Sequence, residues 1–174
     1  MIELGTANSV EHNLRVIPDA GEPWVVAIRG GGYGTPFFGL RPTPHPDVVC
    51  VVAGGGAYLV NTVARAAQTV GVFPTTQVEA IPDAGMLVLA SFTELAGVGV
   101  QGPHGDLGVI WHTERLALDD LRIVGVDGSA VECRAEDGGS FRVVVDAASG
   151  DVIAADPPPR GSILSFLPFP RRKG

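Results

Sequence analysis

Short apolar runs alternate with clusters of turn residues along almost the whole chain. WVVAIR (24–29), DVVCVVA (47–53), AYLVN (57–61), TQVEAI (76–81), MLVLASF (86–92) and GVIWHT (108–113) come first. LRIVGV (121–126), SAVECRA (129–135), SFRVVVD (140–146) and DVIAA (151–155) follow. Between them stand Gly54-Gly55-Gly56, Asp83-Ala84-Gly85, Asp127-Gly128, Asp137-Gly138-Gly139 and Ser149-Gly150-Asp151. Such clusters supply the positive φ angles that tight hairpins need. The spacing predicts an all-β domain of about eleven to thirteen strands, with at most one or two short helices. Antiparallel meanders or hairpins would form either a sandwich or an incomplete propeller-like stack.

The final third is the most regular. Val131 and Cys133 alternate with Glu132 and Arg134, and Phe141, Val143 and Val145 alternate with Arg142 and Asp146, Val144 breaking the polar set. Period two with one polar side describes strands that cover a core on one face. Residues 121–155 therefore read as a four-stranded meander, with Asp127-Gly128 as a two-residue, type I′-like turn. Two segments leave alternatives open. VARAAQTV (63–70) suits either a short helix ended by Gly71 and Pro74 or a mobile loop. TERLALDDL (113–121) suits either a helical turn capped by Thr113 or, preferably, a strand extension over 115–118 with a turn at Asp119-Asp120. Ile-Pro-Asp-Ala-Gly occurs at 17–21 and again at 81–85, as a duplication or as two similar turns.

Residues 29–46 carry four Pro and five Gly around Tyr33, Phe37 and Phe38. Proline removes a ladder donor, so this stretch is expected to be a long surface loop. The domain would span 1–156. Beyond it, 157–174 reads as a proline segment, then Ile163, Leu164, Phe166, Leu167 and Phe169, then basic residues. That apolar-basic tail is a candidate for homo-oligomer contact or for docking on its own domain.

Over about thirty-five residues, IVGVDGSAVECRA and FRVVVDAASGDVI resemble the strand, Asp-Gly turn, strand and D-x-x-S/T-G turn of a quinoprotein-type β-propeller blade. The tryptophan that marks those repeats has no counterpart here. From about 47 to 155 the chain is also similar to a group of small bacterial all-β proteins. Trp111, Thr113, Arg115 and Leu116, then Asp120, Leu121, Arg122 and Ile123, carry that likeness, with Asp119-Asp120 in place of the group's Asp-Gly. The resemblance implies β architecture and no particular chemistry.

Charge narrows the partners. The formal net charge is −7. Residues 79–156 hold four Arg against fourteen acids, whereas 157–174 hold Arg160, Arg171, Arg172 and Lys173 and no acid. An acidic body repels phosphate backbones, so general nucleic-acid binding is not expected. No apolar run approaches the ~20 residues of a membrane-crossing helix. Met1 to Ala20 shows acids where an export leader carries cations and an apolar stretch, so the expected location is the cytoplasm. Cys50 and Cys133 lie in apolar surroundings without a CxxC pattern, which suits buried free thiols, a disulfide being the alternative.

Candidate chemistry is sparse. His112 and Glu114 would share a strand face near Asp119, Asp120 and His104, enough for a general base or a divalent-metal site, but no HxxxH or HExxH spacing accompanies them. Solvated strand polarity is the commoner explanation, and no metal or cofactor is expected. Gly30 to Gly34 and Gly54 to Gly56 invite a phosphate-cradle reading, but Gly54-Gly55-Gly56 is followed by a strand-like segment rather than a helix and the sole Lys is Lys173; hairpin turns explain them better. Ser91, Ser140 and Ser165 lack a nucleophile elbow. Trp24, Tyr33, Phe37, Phe38, Tyr58 and Trp111 either line a stacking groove or anchor core and loops. The leading expectation is a non-catalytic binding or interaction protein for an unknown protein or small molecule, with Tyr33, Phe37, Phe38, His45, Trp111 and His112 as contact candidates. The alternatives are a small metal-dependent or hydrolytic enzyme using His112, Glu114, Asp119 and Asp120, and a subunit of a ring-like β oligomer.

Overall fold

The computed structural model describes residues 2–5, 11–19, 21–29, 39–102, 105–136 and 140–156. Fifteen strands and one 3-10 turn (Pro82–Ala84) make up their regular structure, so the fold is all-β as the turn spacing implies. The first sheet contains β1 (Ile2–Gly5), β2 (Glu11–Val16) and β3 (Trp24–Arg29) in the order β1-β3-β2, with β1 parallel to β3. The other three sheets are four-stranded antiparallel meanders. They are β4 (Gly39–Pro42), β5 (Val48–Ala53), β6 (Gly56–Asn61) and β7 (Ala66–Val70), then β8 (Gln77–Ile81), β9 (Met86–Ala90), β10 (Leu95–Gln101) and β11 (Asp106–His112). The fourth is β12 (Arg122–Asp127), β13 (Ala130–Glu136), β14 (Ser140–Asp146) and β15 (Val152–Ala155).

The sheets pack face to face in chain order around three apolar layers. Val16, Trp24, Val26 and Ile28 meet Val51, Ala53, Tyr58 and Val60 between the first and second sheets. Cys50, Val52 and Leu59 meet Val78, Leu87, Leu89 and Val98 between the second and third. Ile81, Val88, Ala90 and Leu95 meet Val131, Cys133, Phe141, Val143 and Val145 between the third and fourth. The side-chain period of two explains the sequences directly. On β5 and β9, odd and even positions feed different layers, so both strands are apolar throughout. Only the last sheet keeps the clean alternation. Its outer face carries Glu132, paired with Arg142 at 3.0 Å and Arg134 at 4.0 Å, around a buried Val144.

Turn chemistry sets the registers. Gly54 and Gly55 both have positive φ (57° and 82°) and join Ala53 to Gly56 as a two-residue hairpin, so the glycine run is a turn. In the last sheet Asp127 pairs with Ala130, which makes Gly128-Ser129 the loop rather than Asp127-Gly128. Only Gly128 of the two has positive φ (59°), the pattern of a type II′ rather than a type I′ turn. The two Ile-Pro-Asp-Ala-Gly copies both join an edge strand to its neighbour, β2 to β3 and β8 to β9. Their glycines differ, with φ of 104° at Gly21 and 60° at Gly85.

Further expectations are corrected. Residues 63–70 form neither helix nor loop throughout: Asn61 Oδ1 accepts the Val63 and Ala64 N–H groups, Arg65 turns with φ 54°, and 66–70 pair with β6. Residues 115–118 do not extend a strand. The Leu116 and Ala117 N–H groups both donate to Thr93 O, while Leu116, Ala117 and Leu121 plug the third layer. The stretch 29–46 is not loop throughout, because 39–42 form β4. Pro42 is tolerated there since β4 is an edge strand. The strand count exceeds the expected range because β1, β2, β4 and β7 have too few apolar residues to stand out.

Adjacent layers are stapled by polar side chains. The Gln77 amide accepts the Ile123 N–H at 2.7 Å and donates to Ile123 O at 3.3 Å, acting as a strand partner along the edge of β12. Within the third sheet, Thr113 Oγ1 accepts the Leu95 N–H at 2.9 Å and so continues the β10–β11 pairing beyond the end of β11. Trp111 Nε1–H donates to Ala147 O at 2.7 Å, and the indole lies across Gly97 and Gly150, where any added Cβ would strike the ring. Trp111→Phe is therefore expected to cost about 1–3 kcal/mol by losing that bond and part of the ring contact. Gly97→Ala is expected to cost a similar ~1–3 kcal/mol through overpacking. Denaturant titration of both variants measures this, and unchanged midpoints would show that the indole is not the staple.

Candidate functional site

The reactive candidates first named from the sequence do not converge. His112 Nε2 lies 3.6 Å from Glu94 Oε1, across the β10–β11 pair, not beside Glu114. Strand β11 ends at His112, so the period-two argument fails at Glu114, which is exposed on the following loop. Asp119 Oδ1 accepts the Asp120 N–H at 2.8 Å, and Asp120 Oδ1 accepts Arg122 Nε at 2.8 Å. The two acids shape the turn into β12. Among the described residues, no group of three His, Cys, Asp or Glu side chains is placed to hold a metal ion.

The contact candidates are likewise dispersed. His45 Nδ1 accepts the Asp47 N–H at 3.1 Å, and Thr43 Oγ1 donates to Val48 O at 2.7 Å, so both shape the turn from β4 to β5. Trp111 is half-buried as the staple described above, and Trp24 and Tyr58 belong to the first apolar layer. Tyr33, Phe37, Phe38, His104 and the tail 157–174 lie outside the described residues.

Asp146 organises the last hairpin. Its Oδ1 accepts the Ala148 and Ser149 N–H groups at 3.0 and 2.9 Å, and Ser129 Oγ donates to Oδ2 at 3.2 Å. The Ser149 backbone bond, aided by the hydroxyls of Ser129 and Ser149 and the Ala148 N–H, holds this carboxyl below the usual range. The Asp-x-x-Ser-Gly signature seen in the sequence thus builds a turn.

A groove of about 440 Å³ opens where the second and third sheets meet. Val48, Leu59, Ala67 and Leu107 give it apolar walls, and Asn61, Gln68, Gln101 and Asp106 give it polar ones. Gln68 Nε2 donates to Leu107 O at 2.5 Å and joins the two sheets. Gln101 Nε2 donates to Val109 O, also at 2.5 Å, within its own hairpin. Both donors engaged in these bonds are directed at backbone carbonyls. Among the described residues, neither amide oxygen nor the Asp106 carboxylate accepts a hydrogen bond, and one N–H of each glutamine is likewise unused, so the lining offers both acceptors and donors. The Asn61 amide oxygen is occupied by the turn that follows it.

Sequence reasoning missed this set. Gln68 lay in a segment assigned to helix or loop, and neutral amides on strands carry no motif. The one available signal was a Gln interrupting otherwise apolar or small runs at 68 and 101.

No family model, curated protein or solved structure matches this chain. No helix of the described residues is long and apolar enough to cross a membrane.

The thiols give a direct test of the layered core. Cys50 lies between the second and third sheets and Cys133 between the third and fourth, both free and fully buried. Burial pushes each up to about 12 from an ordinary 9.0. Below about pH 8 both thiols are protonated, folded or unfolded. At higher pH the unfolded chain loses those protons first, so it binds fewer and folding stability falls. The expected slope approaches about −1.4 kcal/mol per pH unit per thiol between pH 9 and 12. Burial also raises the Tyr58 hydroxyl, which adds in the same direction above its ordinary 10.0. Iodoacetamide mass labelling at pH 8 should modify neither cysteine in native protein and both in guanidinium. Rapid native labelling of either would contradict the placement.

Proposed function

We propose that this chain is a non-catalytic binding module whose ligand seats in the groove between the second and third sheets. The observation that carries this reading is the pairing of apolar walls with amide and carboxylate groups at one open cleft. Ligand sites commonly combine an apolar surface with a few placed polar groups, and volumes of this order hold small ligands or side chains. Support also comes from what the acids and imidazoles do: His112, Asp119 and Asp120 are engaged with separate neighbours.

The blade-like order of the meanders keeps a second reading in view. The sheets follow one another face to face in chain order, and Val124 and Ile153 are more than half exposed on the last sheet. On that reading the unit is part of a bacterial ring-like assembly, with further blades from other copies closing on the terminal sheets. Light scattering separates the two, since a single monomeric mass removes the ring.

The groove reading is tested by a nitrogen-15 NMR screen of the full chain against a panel of cationic, anionic and neutral fragments, with divalent metals included. Expected are shifts confined to amides near Gln68, Gln101 and Leu107. Shifts centred on His112 to Asp120 with an added metal would instead favour the enzyme alternative and overturn the binding module.

A further inference from the structure

We propose that residues 163–169 (ILSFLPF) add a fifth strand to the fourth sheet, antiparallel to β15. They lie outside the described residues; the edge that receives them lies within. Edge strands present unpaired N–H and C=O groups, a hazard that folds manage explicitly. Other edges of this molecule are blunted by proline or by side chains. Pro42 stands in β4, the Gln77 amide bonds Ile123 in both directions on β12, and Gln68 and Gln101 donate to Leu107 O and Val109 O on β11. Strand β15 reads VIAA, without proline or charge, and among the described residues no side chain hydrogen-bonds to its backbone. The Asp156 N–H donates to Arg142 O at 2.9 Å, and antiparallel alternation then turns the Ala155 N–H and C=O away from β14. The Asp146 N–H, bonded to Asp151 O, fixes the same outward direction for Val152. Ile153, between them, is 54% exposed.

The chain itself supplies the occupant. Strand β15 leads directly into residues 157–174, so the segment is tethered at the edge and meets it at high effective concentration. Residues 157–162 (PPPRGS) bring prolines that cannot continue a ladder and a glycine for the reversal. So short a connection suits an antiparallel return, because a parallel one needs a crossover. Pro168 and Pro170 stand two apart, so on a strand both place their missing donors on the same side. With that side outward, Ile163, Ser165, Leu167 and Phe169 keep their N–H groups for β15, and the new edge is itself blunted by proline. Charge agrees with the direction. Register aligns Arg122, Arg134 and Arg142 across the end of the sheet where β15 leaves, and Asp127 and Asp146 across the other, with Asp151 bonded to Asp146. An antiparallel return carries Arg171, Arg172 and Lys173 away from the arginines and toward the aspartates.

The test is amide hydrogen exchange on the nitrogen-15-labelled full chain, read at Val152 and Ala155. Both are expected to exchange at least about tenfold more slowly than unstructured amides. Ser165→Pro deletes a donor on the β15 side without deleting apolar area, and should abolish that protection while the amides of β13 stay protected. Leu164→Pro, on the same side as the native prolines, should keep it. Rapid exchange at Val152 and Ala155 in the parent, or equal behaviour of the two variants, would overturn the proposal. Isotope-filtered NOE spectra of mixed labelled and unlabelled protein identify the occupant. Contacts from Ile153 to residues 163–169 of the same chain support the proposal. The same contacts between chains would assign the edge to a second copy, and contacts of 163–169 with Gln68 and Leu107 would seat the segment in the groove; either result overturns it.

Discussion

Burial on both faces of the two middle sheets is the constraint from which the rest of the molecule follows. A sheet whose strands read VVCVVA or MLVLA has no side to turn toward water. Fully burying each such side chain contributes about 1.5–3 kcal/mol, which outweighs the ordering of a short strand only when both faces are covered. The second and third sheets therefore require neighbours on each side, and the first and fourth sheets are those neighbours. Each terminal sheet can then afford one polar face, visible in the Glu132, Arg134 and Arg142 cluster.

Stacking sheets creates a difficulty at their edges, where backbone groups lose ladder partners without gaining water. This protein answers it with side chains that imitate backbone. Gln77 presents both an acceptor and a donor to Ile123, Thr113 serves Leu95, and the Trp111 indole reaches Ala147 across the third layer. One N–H of Gln68 donates to Leu107 O between the second and third sheets, and the residue lines the groove.

Much of this was readable in advance, and the failures have identifiable causes. Meanders announced themselves wherever glycine supplied positive φ between apolar runs, as at Gly54-Gly55 and Gly128. What escaped were strands with little burial: AAQTV of β7 presents mostly polar or small groups because it lies at a sheet edge, and β4 hides among prolines for the same reason. Leu116 and Ala117 are interior residues on an irregular segment, which no period reveals. The site was less legible than the fold. His112 with Glu114 looked like a pair because alternation was extended one step past the true end of β11. The amides at 68 and 101 carry no signature, since their meaning depends on two hairpins meeting in space. Trp111, Thr113, Arg115, Leu116, Asp120, Leu121, Arg122 and Ile123 all lie where the third sheet joins the fourth.

The layered core itself is tested most directly by native-state hydrogen exchange resolved to single amides. If two-sided burial holds the stack together, the amides of β5, β6, β9 and β10 should share the slowest exchange, with one common opening free energy and one denaturant dependence. Protection that separates into independent steps, the second sheet opening while the third stays closed, would contradict the account, because it would mean that each sheet is stable without the neighbour it is held to require.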